Sequence, residues 1–217
     1  MTLRALILST ALVSLLSACG NDDQRVRDKR LDSLMLNSAR QLVGMAVETP
    51  ERATAEQLRL IGQEIAQTKG LGIMIAQTPM TGGADLFALA TVDGSYTVWG
   101  SDSQITVTLE GPMLIGTRGF GDDLMSAEIG PVNALLAARS EGDYQRVLRF
   151  LDGENNVRHY AYDCRISVIN DDTMQENCTN PAHAFKNLFE FDAETGLVRR
   201  SEQWMGSATG YLVIEII

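Results

Sequence analysis

The chain has 217 residues, 45% apolar and 21% charged, and its 28 acidic against 18 basic side chains leave a net charge of −10. Such acidity excludes nucleic acid, and excludes a polybasic grip on anionic lipid. The length suits one domain that can bury a real core.

Residues 1–18 begin with one cation, Arg4, and continue from Ala5 to Ala18 without a charge. This is the n-region and h-region layout of a secretory signal, and it is shorter than the roughly 20 apolar residues a membrane-spanning helix needs. The run ends in Leu16-Ser17-Ala18-Cys19, which looks like the lipobox of bacterial lipoproteins. There the cysteine becomes the new N-terminus and carries acyl chains, palmitate among them, on sulfur and amine. The alternative is a plain signal peptide with a chance cysteine. Cys19 is therefore the expected lipidation site, and two or more acyl chains anchor a protein stably. Gly20 follows it, not Asp, which favours the outer membrane, periplasmic side, as the destination.

The expected layout is a lipoprotein signal at 1–18, a lipidated tether at 19–25 and a single domain at 26–217. Val26–Val47 reads as a helix with Leu31, Leu34, Met35, Leu42 and Ala46 on one face, broken at Thr49-Pro50. Thr54-Ala55-Glu56-Gln57 has the pattern of a capping box and opens a second helix, whose inner face is Leu58, Ile61 and Ile65 and whose end is set by Gly70 and Gly72.

From Leu71 the texture changes to short runs between Gly, Asn and Asp clusters. Ile105, Val107 and Leu109 alternate with Thr106, Thr108 and Glu110, the period of a half-buried strand. The predicted strands are Leu71–Gln77, Asp85–Val92, Tyr96–Ser101, Ile105–Glu110, Met113–Arg118, Tyr144–Leu151, Val157–Ile169, Thr173–Thr179, Lys186–Asp192, Leu197–Trp204 and Tyr211–Ile217. One helix, Pro131–Arg139, interrupts them. Asp93-Gly94 and Asp192–Gly196 are expected hairpin turns. The fold class is thus mainly β (α+β): a curved antiparallel sheet, barrel- or sandwich-like, with N-terminal helices packed on it.

With Cys19 assigned to lipid, Cys164 and Cys178 remain, and an even pair in an exported chain favours a disulfide. Both lie equidistant from Asp171 in the turn cluster Asn170-Asp171-Asp172. A hairpin centred there sets the two cysteines directly opposite, at about 4.5–5.5 Å between Cα atoms, close to what a disulfide requires. Cys164 shares its strand face with Tyr160, Tyr162, Ile166 and Val168, so the bridge belongs on the buried side.

Chemistry-bearing constellations are sparse. His159 and His183 are the two histidines, and neither sits in a nucleophile elbow or a metal-binding helix. No metal and no cofactor are expected. The glycines of "GTRGFGDDL" lack P-loop spacing, and Asp122 and Asp123 repel phosphate. Trp99 and Trp204 are either core or platforms for a sugar or a partner.

Three segments together resemble the YjbF/GfcB family of bacterial outer-membrane lipoproteins. The first is the lipobox. The second, "VWGSDSQITVTLEGPMLIGTRGFGDDL", matches through Trp99, Ser101, Asp102, Gly111, Thr117, Gly119, Phe120, Gly121, Asp123 and Leu124. The third, "NLFEFDAETGLVRRSEQWMG", matches through Asn187, Phe189, Asp192, Thr195, Gly196, Ser201 and Gln203. Pro112 stands where the family often has Arg, and Phe120 where it has Leu. The resemblance implies a non-catalytic accessory role in exopolysaccharide or group 4 capsule secretion, with an outer-membrane export β-barrel as partner. Trp99, Trp204, Phe120 and Asp123 are the candidate contacts to glycan or partner. The rival readings are a lipoprotein that holds glycan directly through surface aromatics and, with less residue support, a polysaccharide-modifying enzyme.

Overall fold

The computed structural model describes residues 53–151 and 156–217. Cys19, the tether and the Val26–Val47 helix lie outside the described residues. Helix α1 (Ala55–Lys69) comes first, followed by twelve strands: β1 (Ile73–Thr78), β2 (Gly83–Asp93), β3 (Tyr96–Ser101), β4 (Thr106–Glu110), β5 (Met113–Arg118), β6 (Asp123–Glu128), β7 (Gly142–Leu151), β8 (Val157–Asn170), β9 (Thr173–Thr179), β10 (Ala184–Phe191), β11 (Val198–Trp204) and β12 (Tyr211–Ile216). Helix α2 (Val132–Ala137) joins β6 to β7 and buries Val132 and Leu136.

All twelve strands form one antiparallel sheet in the order β5-β4-β3-β2-β1-β12-β11-β10-β9-β8-β7-β6. This is an up-and-down meander closed between its first and last strands: β12 pairs with β1, Met74 opposite Ile216. The edges of the sheet are β5 and β6, neighbours in sequence, so the nearly closed, barrel-like sheet opens at an internal hairpin. Side chains bridge that seam. Thr117 Oγ1 donates to Asp123 Oδ1 (3.1 Å) and accepts from Leu124 N (2.9 Å), and Arg118 donates to the Leu124 carbonyl. Where the edges part, a cleft of about 310 Å³ is lined by Thr108, Ile115, Arg118 and Met125, among others. The antiparallel, mainly β reading of the sequence holds.

Alternation sorts the strands as expected. Along β8, Tyr162, Cys164 and Ile166 are buried, while Ala161, Asp163 and Arg165 between them are exposed. The inside is apolar and the outside charged, the reverse of a barrel that spans a bilayer.

Two sequence expectations need correction. β6 was not expected. A bulge between Leu124 and Ser126 breaks its two-residue period, and Asp122-Asp123 in front of it resembles a turn. Helix α1 starts where predicted, with Thr54 Oγ1 accepting from Gln57 N and Gln57 Oε1 from Thr54 N, and Leu58 and Ile65 of its expected inner face are half-buried, but Ile61 is not part of that face. Gly62 is its buried residue, and Ile61 is 47% exposed. A Cβ on Gly62 would lie 2.9 Å from Ile217 Cδ1 and 3.0 Å from Ile73 Cγ2. The missing side chain lets the helix approach the sheet there, turning Ile61 away.

Arg59 then points at the sheet and holds Glu215 of β12 with two bonds, Nε to Oε1 at 2.9 Å and Nη2 to Oε2 at 2.7 Å. Such bidentate pairs are the strong ones. The hydrogen bond from Arg59, helped by its charge, holds the Glu215 carboxyl below its usual range against the opposing effect of burial. A carboxyl whose folded pKa is lowered contributes stability that is full above its unfolded value of about 4.3 and is lost as pH falls through the folded one. Arg59→Gln should therefore lower the melting temperature at pH 7, with the gap from wild type closing below about pH 4. Parallel melting curves at pH 7 and pH 3 check this, and a gap independent of pH would refute it.

Candidate functional site

The cysteines meet as the hairpin symmetry requires. Cys164 pairs with Cys178 across β8 and β9, their Cα atoms are 4.1 Å apart and their sulfurs are bonded. Beside them lies a buried charged cluster that sequence reading missed. Glu176 on β9 is 0% exposed and Arg146 on β7 2%. Arg146 Nη1 donates to Glu176 Oε2 at 2.7 Å, Tyr144 Oη to Oε1 at 2.5 Å, and Asn187 Nδ2 to Oε2 at 2.5 Å. Burial foremost, then the charge of Glu176, pushes the Tyr144 hydroxyl far up, so it remains a donor. The signal that could have revealed the cluster is phase. Arg146 alternates in step with Tyr144, Leu148 and Phe150, and Glu176 with Met174 and Cys178.

Cys164, Glu176 and Cys178 place their ligand atoms within 4.8 Å of one another. The sulfurs are bonded to each other and the carboxylate is engaged by three donors, so the trio as folded is not a metal centre. With Glu176 fully enclosed, the same arrangement keeps this carboxylate from a polymeric substrate.

A second buried polar link crosses the interior. Gln203 on β11 accepts from Leu114 N at 2.8 Å, and its Nε2 donates to the Pro112 carbonyl (2.8 Å) and to Ser201 Oγ (3.0 Å). β5 and β11 are far apart in the sheet, so this amide ties opposite walls together.

The four candidate contact residues separate. Trp99 is 4% exposed, packed in the core with Nε1 donating to Thr97 Oγ1 at 3.0 Å. It offers no ring face to a sugar, which corrects its candidacy as a surface contact. Asp123 accepts from Gly119 N and Phe120 N, and Thr117 Oγ1 donates to it as well, so its carboxylate is occupied with fixing the seam turn. Phe120 is half-buried against the core. Gly119, at φ +94°, needs the conformation that favours glycine, and a Cβ there would meet the Gln104 carbonyl at 3.3 Å.

Trp204 is different. It is half-buried at the end of β11, its ring stacked on Phe185 with centroids 5.9 Å apart and planes at 12°. Its backbone N–H donates to Asn187 Oδ1 at 2.7 Å, which couples it to the Glu176 cluster. Ring contacts continue on both sides: Tyr211 stands edge-on to Trp204, Phe185 meets Tyr162, and Tyr160 meets Tyr162, Phe150 and His183. The band lies where β7 and β11 end and where β8, β10 and β12 begin.

The chain matches, over residues 53–217, the family described as group 4 capsule polysaccharide lipoprotein GfcB, YjbF. It belongs to the YjbF family. The match spans every described element and agrees with the motifs at Thr117–Leu124 and Asn187–Gln203. Among solved structures, the hypothetical lipoprotein YmcC from Escherichia coli (K12) is similar, with a TM-score of 0.61 and 17% identity, covering 76% of this chain and 96% of that one. At that identity the likeness concerns the fold. No curated protein matches. Many of the YjbF-like motif residues do structural work in this chain: Thr117 and Asp123 fix the seam, Ser201 and Gln203 tie two walls, Asn187 supports Glu176, and Asp192 accepts from Glu194 N, Thr195 N and Thr195 Oγ1 in its turn.

Proposed function

We propose that this YjbF-family chain is an outer-membrane lipoprotein, acylated at Cys19 and facing the periplasm. In this reading it is a non-catalytic accessory component of exopolysaccharide or capsule secretion and docks on the export β-barrel of that system. The observation that carries the reading is the family match over the whole β-rich body. Two structural features support it. The interior is filled by apolar side chains and crossed by two buried hydrogen-bonded links, so the sheet is a packed block with an outer surface to offer. The outward strand faces are charged, which suits a body held at the membrane by lipid. The buried carboxylate is tied by three donors, which supports action by contact over bond-breaking.

Gentle detergent extraction of the tagged full chain, followed by affinity capture, should recover an outer-membrane β-barrel protein in stoichiometric amount. Cys19→Ala should leave the protein unlipidated and cut that recovery severely. Capture of the wild type without any barrel protein would sink the docking claim. Unchanged fractionation of Cys19→Ala with outer membranes would sink the anchor.

A further inference from the structure

The chain has five tyrosines, two tryptophans and two histidines. Three of those tyrosines (Tyr160, Tyr162, Tyr211), one tryptophan (Trp204) and one histidine (His183) gather in one band of ring contacts, with centroids 4.9 to 6.5 Å apart. The band is not sealed. Tyr160 and Trp204 are half-buried, and His183 is exposed. They border an open slot whose rim carries Arg158 and Asp122, paired at 3.4 Å.

We propose that this slot is a glycan-binding subsite, in which an uncharged stretch of polysaccharide lies across Tyr160, His183 and Trp204. A pyranose ring has an apolar C–H face and a hydroxyl edge. Binding it takes an aromatic surface for the face and fixed polar groups for the edge, the mix found in sites for small polar ligands. Here the rings supply the surface, and His183, Asp122 and Arg158 the polar groups. The enclosed volume is about 20 Å³, room for a water and not for a sugar ring. The slot therefore suits a chain passing over it, not a monosaccharide held inside.

The surface is preorganised. Trp204 is backed by Phe185 and pinned through Asn187. Gly206, at φ +115°, keeps the floor open, since a Cβ there would be 2.9 Å from the Phe150 ring. Charge selects the neutral stretch: Asp122 offsets Arg158 in the slot, and the chain as a whole is acidic.

The inference rests on the capsule reading for the polymer class, but its test is separate. The probe is surface polysaccharide extracted from the producing cells and freed of lipid. The full-length protein in detergent is run by affinity electrophoresis through gels containing that polymer. Wild type should be retarded, and its tryptophan emission should shift on titration, a shift that Trp204→Ala loses. Trp204→Ala and His183→Ala should each weaken retardation roughly tenfold. His183 is exposed, so its variant folds even where Trp204→Ala does not. Unretarded wild type, or His183→Ala and Trp204→Ala both retarded as strongly as wild type, would overturn the subsite. So would variants that lose the export barrel in affinity capture while wild type ignores the polymer, since the slot would then be a protein contact. Polymer binding without barrel capture would leave the subsite standing and remove the docking proposal.

Discussion

Arg146→Met is expected to destabilise the fold by about 3–5 kcal/mol, the usual cost of stripping one partner from a buried ion pair. The substitution keeps the volume of the side chain and removes its charge. What remains is the Glu176 carboxylate, 0% exposed, still accepting from Tyr144 and Asn187 but with no cation to balance it. Glu176→Gln is the reciprocal single variant, with a comparable cost expected. It preserves an oxygen acceptor and leaves Arg146 as an uncompensated buried cation. The double variant Arg146→Met/Glu176→Gln should be more stable than Arg146→Met alone, because neither charge remains. That non-additivity is the signature of direct coupling. Urea denaturation of the four proteins measures it. A loss below about 1 kcal/mol for Arg146→Met would mean that the pair is solvated and that the interior is not sealed as described.

The same cluster shows where reading the sequence stops. Strands were legible because alternation is local: Ile105, Val107 and Leu109 declare a face without reference to any other segment. The disulfide was legible because Cys164, the turn and Cys178 share one hairpin. The capping box at Thr54 needs four consecutive residues. Arg146 and Glu176, in contrast, meet from two strands, β7 and β9, with β8 between them, and nothing near either residue announces the other. One position of the helix face, Ile61, misled for a related reason. Ile61 fits an apolar stripe, yet contact with β1 was decided by the absence of a side chain at Gly62.

Of the candidate site residues, phase alone could not place the tryptophans. Trp99 lies mid-strand between Leu89 and Val107 and is buried by both neighbours. Trp204 is in phase with Arg200 and Glu202, which points it outward. At the strand end its ring instead lies against Phe185. The aromatic band is a product of topology: it assembles from segments as far apart as Phe150 and Tyr211 because the meander brings β7 through β12 side by side. A sequence reader sees isolated rings, and only the register joins them.

Opening the Cys164–Cys178 bond should cost about 3 kcal/mol, the chain-entropy value for a closed loop of roughly 15 residues. For a domain of this size that is a fall of roughly 6–12 °C in melting temperature. The argument has two parts. The bond joins directly opposed residues of an established hairpin, with a sequence separation of 14, so its main effect is to restrict the unfolded chain. Both sulfurs are also buried, beside the Glu176 cluster and under Phe185, which pairs with Cys178. Reductant reaches them only when the sheet opens, so brief treatment of the folded protein should leave the bond intact while treatment near the transition cleaves it. Cys164→Ala/Cys178→Ala removes the bond without that kinetic barrier. Its melting curve should match the fully reduced wild type and lie well below the oxidised one. Coincident oxidised and reduced curves would refute a stabilising bridge. A double variant falling much further than the reduced protein would assign the loss to the emptied space around the sulfurs, not to the covalent link.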